Sequence, residues 1–119
     1  MAWEFFLEDR NIKIECEIAG EIRFGPMYFY LKSDPIFPEL TGHIFGDWFY
    51  KYDSKIFLQE WNSTSLPNTN LVCIDIKEQN FFRVIENIKS VSWRMAFEEG
   101  NLFLFDEHNH VKYPIKFNS

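Results

Sequence analysis

Ile12-Lys13-Ile14-Glu15-Cys16-Glu17-Ile18 alternates apolar and charged residues without a break. A period of two suits a β-strand, which sends successive side chains to opposite faces, and it fits no helix, whose period is 3.6. One face of this segment is expected to be dry and the other wet. Trp3 to Leu7 reads as a strand before it, with Glu8-Asp9-Arg10-Asn11 as the turn, so the chain is predicted to open with a hairpin. The supply of residues agrees with this reading. Three alanines and eight leucines stand against twelve isoleucines, four valines, fourteen phenylalanines, five tyrosines and four tryptophans. β-Branched and aromatic side chains lose rotamer freedom in a helix but fit a pleated surface.

The rest of the chain divides in the same way. Gly20 and Gly25-Pro26 punctuate the next segment, and Tyr28 to Leu31 reads as a strand. Asp34-Pro35-Ile36-Phe37-Pro38 is a loop, because two prolines lack the ladder donor. Trp48 to Tyr52 and Ile56 to Trp61 flank Asp53-Ser54-Lys55 as a second hairpin, and the polar run Asn62 to Asn70 is a surface loop. Leu71 to Ile76 is the most buried strand, with five apolar residues in six. Phe81, Val84, Ile85 and Ile88 fall at helical spacing, so one short helix is expected there. Val91, Trp93, Met95 and Phe97 alternate, Glu98-Glu99-Gly100-Asn101 turns, and Leu102 to Phe105 returns. Asn109 and Pro114 bracket a last short strand. The expected fold is a mostly-β single domain over residues 1–119. It is an antiparallel sandwich or partly open barrel of eight to ten strands, with at most one or two short helices.

Several classes are excluded on simple grounds. The longest apolar runs, such as Met27 to Leu31, fall far below the ~20 residues that a membrane helix needs. The opening Met-Ala-Trp-Glu has no basic segment, so no secretory signal is expected. Two cysteines, Cys16 and Cys73, make no disulfide framework, and both lie in apolar strand patterns as predicted buried free thiols. A net charge of −6 argues against direct nucleic-acid binding. Together these point to a soluble cytoplasmic protein.

Chemistry is sparse. Asp106-Glu107-His108-Asn109-His110 gathers possible metal ligands, but zinc needs a third protein ligand, and a polar turn explains the cluster. His43 is alone in a loop. There is no Gly-x-Ser-x-Gly elbow and no glycine-rich phosphate loop. No catalytic residue, metal or cofactor is expected.

Charge and aromatic placement are more informative. Residues 1–60 hold eleven acids and six bases, a balance of −5, against −1 for residues 61–119 with seven and six. Within the acidic half, Trp48, Tyr50 and Tyr52 share one strand face beside Asp47 and Asp53. Rigid aromatics ringed by acids suit the centre of an interface with a basic protein. Asp47, Trp48, Tyr50, Tyr52, Asp53 and Glu60 are therefore the expected partner-binding residues. Trp61 is a neighbour, and Asp106 and Glu107 are the next candidates.

In size, acidity, aromatic content and β-rich pattern, the whole chain resembles bacterial toxin-immunity proteins, including those of contact-dependent growth inhibition. The resemblance implies an antitoxin function: binding the toxin domain of a cognate effector, often a basic nuclease, and covering its active site. Two other readings stand beside it. One is a small-ligand barrel with an aromatic-lined cavity, against which no convergent polar set is visible. The other is an accessory subunit, including an acidic mimic occupying a nucleic-acid groove.

Overall fold

Ten strands run as two antiparallel meanders in the computed structural model, which describes residues 3–21 and 26–116. Gly25, one of the expected breakers, lies outside the described residues. The first seven strands form one sheet in chain order: β1 (Glu4–Asp9), β2 (Ile12–Glu21), β3 (Met27–Asp34), β4 (Ile44–Tyr52), β5 (Lys55–Trp61), β6 (Thr69–Asp75) and β7 (Asn80–Ile88). A second sheet holds β8 (Trp93–Glu98), β9 (Asn101–Asp106) and β10 (Val111–Pro114). Among the described residues a single 3-10 turn, Pro38–Leu40, interrupts the strands, and no helix is long and apolar enough to cross a membrane.

The expected hairpins are present, and their turns carry the residues that bend the backbone. Arg10 and Asp53 sit at φ 51 and 54. Glu99 and Gly100 sit at φ 52 and 79, the pair of positive values that a two-residue primed turn requires.

Two cores explain the layering. The first holds Leu7, Ile12, Ile14, Cys16 and Leu31 from β1 to β3, packed on Phe45, Ile56, Leu58, Val72 and Ile74 from β4 to β6. The long sheet therefore folds back on itself without closing into a barrel. The fold-back occurs at the β3–β4 junction, where Phe29 opposite Phe45 is the one aligned pair. Phe37 and Leu40, from the connecting segment, fill the wedge. Phe6 meets Phe49 at 5.6 Å, and the Lys51 ammonium donates to the Glu8 carbonyl at 2.8 Å, so β1 lies across from β4. The second core packs Phe57, Leu71, Cys73 and Ile88 against Trp93, Met95, Leu102 and Leu104 of the short sheet. β5 and β6 are thus covered on both faces, which is why Leu71 to Ile74 is apolar without alternation.

The short helix expected over Phe81 to Ile88 is instead β7. Its pairing with β6 slips twice, between Thr69 and Leu71 and between Leu71 and Val72, adding residues on the β7 side. Such bulges shift side-chain parity. They let Val84, Ile85 and Ile88 all reach the second core while Phe81 packs on the first, so the apolar spacing of these four residues imitates a helix without marking one helical face.

Both cysteines are buried free thiols on opposite faces of the long sheet, Cys16 in the first core and Cys73 in the second. Burial pushes Cys73 up to about 12, with Lys55 and Asp75 acting in opposite directions. Reaction with a thiol reagent at mildly alkaline pH is expected to be slow for both until denaturant is added. Fast labelling of either native thiol would contradict this packing.

Candidate partner-binding site

The six expected binding residues do not form one surface. Trp48 is half-buried and meets Trp93 edge-on at 5.2 Å, while Tyr50 lies 6.4 Å from Phe57, so both contribute to the second core. Tyr52 is more exposed and packs on Phe97 at 5.1 Å. Asp47 is exposed where the β4 register shifts, and Asp53 sits in the turn, 3.8 Å from the Arg10 guanidinium. Trp61 is buried against Tyr28, with its indole N–H donated to Gln59 Oε1 at 2.8 Å.

Glu60 departs furthest from expectation. It shares the strand face of Ile56 and Leu58, opposite to the Trp48 face, and is only 1% exposed. Arg83 grips its carboxylate with Nε at 2.8 Å and Nη2 at 2.9 Å, and Asn70 Nδ2 donates at 2.7 Å. His43 Nδ1 stands 3.1 Å from Oε2. Burial disfavours the charge, but the Arg83 and Asn70 hydrogen bonds and the nearby Arg83 and His43 outweigh it and hold Glu60 below the usual carboxylate range. Asn70 extends the network, exchanging amide bonds with Asn62 and accepting the Asn87 N–H at 3.0 Å. With both oxygens occupied, Glu60 acts as an anchor that fixes β4, β5, β6 and β7 at one end of the first core. No local signal marked this cluster, because its members come from four separate strands and loops.

The Asp106 to His110 segment is a turn built by Asp106. Its buried carboxylate accepts the backbone N–H groups of His108 and Asn109, each at 3.0 Å, and Asn109 Nδ2 at 2.8 Å. Burial alone would raise this carboxyl, but the donors from Asn109, Ser90 and His108 together lower it. Among the described residues, no group of three or more His, Cys, Asp or Glu side chains is placed to share a metal ion.

Acids and aromatics do meet on another surface of the first half. The second sheet covers the long sheet over β4 to β7, and among the described residues none covers the corresponding face of β1 to β3. On that face Phe5 is 65% exposed directly opposite Glu15, and Tyr30 is 42% exposed directly opposite Glu17. Lys32 lies beside Glu15 at 4.0 Å, with its ammonium 4.6 Å above the Trp3 ring. The wet face of Ile12 to Ile18 was visible in the sequence. Its aromatic neighbours emerge only from the pairing register.

A hollow of about 290 Å³ lies between Trp61, the 63–68 loop and Val91. It sits at the small end of the range for ligand pockets. The inside of the curled sheet is filled by core side chains. No family model matches this sequence, and neither a curated protein nor a solved structure matches it.

Proposed function

We propose that the chain is an immunity-type binding protein that neutralises a basic protein partner, a toxin domain of nuclease type, through the open face of β1 to β3. The observation that carries this reading is the pairing of each exposed aromatic, Phe5 and Tyr30, with a glutamate on that uncovered face. The aromatics supply rigid apolar area and the glutamates select a basic surface. The −5 balance of residues 1–60 adds long-range attraction.

The test is a pull-down from the native host with the tagged parent protein, followed by co-expression with the basic toxin domain that it recovers. The parent protein is expected to protect growth and to co-purify with that domain. Phe5→Ala and Tyr30→Ala should each speed dissociation by roughly thirtyfold, about 2 kcal/mol, as central interface aromatics do. Glu17→Gln should instead slow association, most visibly at low salt. Trp48→Ala is expected to lower stability, since its ring belongs to the second core. A parent protein that forms no complex with that domain, or unchanged dissociation for both folded aromatic variants, overturns the reading.

A further inference from the structure

Four strands end the two ladders, and three of them carry features that discourage a further strand. β1 has a bulge between Phe5 and Leu7 and receives the Lys51 ammonium on its Glu8 carbonyl. β7 has two register shifts, and β10 is four residues long and ends at Pro114. β8 differs. Its register with β9 runs unbroken from Trp93 opposite Asp106 to Glu98 opposite Asn101, and it contains no proline.

The hairpin turn fixes which backbone groups are open. A two-residue turn at Glu99-Gly100 makes Glu98 and Asn101 a hydrogen-bonded pair. By alternation, Arg94, Ala96 and Glu98 bond to β9, while the N–H and C=O groups of Trp93, Met95 and Phe97 point to the free edge. β8 runs along β4, through the Trp93–Trp48 and Phe97–Tyr52 contacts. β9 and β10, which bring Leu102, Leu104, Tyr113 and Ile115 to the second core, lie on one side of β8, so its free edge faces away from them.

We infer that β8 pairs antiparallel with β8 of a second copy, about a twofold axis through Ala96. In this register Met95 lies opposite Phe97 of the second copy and covers a side chain that is 46% exposed in the monomer. Arg94 lies opposite Glu98 of the second copy, once on each side of the axis. Opposite charges directly across strands favour pairing and like charges oppose it. An axis through Arg94 would set two arginines against each other, and axes through Met95 or Phe97 would leave both charges unmatched. Arg94 already bonds Glu107 and Glu98 already bonds Lys112, each at 2.8 Å, yet both remain about half exposed. On each side of the axis these pairs join into a row of alternating sign, Lys112 and Glu98 of one copy followed by Arg94 and Glu107 of the other. None of these residues is on β1 to β3, so the pairing is independent of the toxin-binding reading.

Sedimentation and light scattering test it, over a dilution series reaching roughly 1 mM to include weak pairing. The parent is expected to reach twice the 14.4 kDa chain mass. Arg94→Glu and Glu98→Arg, each verified as folded by circular dichroism, should each weaken association tenfold or more, because each sets like charges across both ends of the seam. An equal mixture of the two variants should regain the dimer, since every cross-seam pair is then opposite in sign. A parent that stays monomeric, single variants that still dimerise like the parent, or a mixture that stays monomeric would overturn the pairing.

Discussion

Replacing Glu60 by alanine is expected to lower stability by about 3 kcal/mol and the melting temperature by roughly 12 °C. The carboxylate is buried, and its loss strips Arg83 of both its hydrogen bonds and Asn70 of one acceptor. Removing one partner of a buried pair commonly costs about 3–5 kcal/mol. The Arg83 side chain is 35% exposed and can rehydrate, which places this case at the low end. Glu60→Gln keeps an acceptor but loses the charge, and about half the effect is expected. The two variants also separate charge from shape in their pH dependence. Glu60 titrates lower when folded than when unfolded. Its contribution is therefore complete above the ordinary carboxylate range and is lost as pH falls through the lowered folded value. The stability gap between the parent and Glu60→Gln should shrink as pH falls from neutral through the lowered folded value. Asp106 is lowered in the same direction but is present in both proteins, so it cancels. Denaturant melts at several pH values measure the gap, and a gap that stays constant would show that the charge of Glu60 adds nothing.

What could be read from the sequence was whatever lies within a few residues. Alternation at Ile12 to Ile18 placed β2, and turn residues at Arg10-Asn11, Asp53-Ser54 and Glu99-Gly100 placed three hairpins. Continuous apolar character at Leu71 to Ile76 signalled burial on both sides, which the two cores explain. β7 was misread because a bulge is a matter of pairing, and a lone strand gives no sign that a neighbour will slip against it. The same limit governed the sites. Trp48 and Tyr50 carried the right residue types for an interface, but whether such a face meets solvent or a second sheet depends on β8, more than forty residues away. Phe97 alternated with Trp93 and Met95 as a core residue would, yet it stands at the strand end beside the turn and stays partly exposed. Glu60 was one acid among eighteen until Arg83, Asn70 and His43 were brought to it by three different connections.

Phe57→Ala should produce the largest loss of any single truncation, about 4 kcal/mol with a fall in melting temperature of roughly 16 °C. Phe57 is fully buried on β5, between Tyr50 on β4 and Cys73 on β6. It packs in the core shared with Trp93, Met95, Leu102 and Leu104 of the short sheet. A cavity there is walled by two hydrogen-bonded sheets, and neither can sag into it without breaking its own ladder, so little of the lost contact is recovered. Polar ties between the layers survive the change: Gln59 Nε2 still donates to the Val91 carbonyl, and Thr69 Oγ1 still donates to the Ser90 carbonyl. The chain should therefore remain folded while the short sheet loosens. Native-state hydrogen exchange is the direct readout, with amides of β8 and β9 losing protection before those of β1 and β2. Leu58→Ala, one residue along β5 but facing the first core, should reverse that order. If both variants loosen the same amides, the chain has one continuous core rather than two. If Phe57→Ala costs less than about 1 kcal/mol, the short sheet closes onto β5 without the ring, and the layering rests on Trp48 and Trp93 instead.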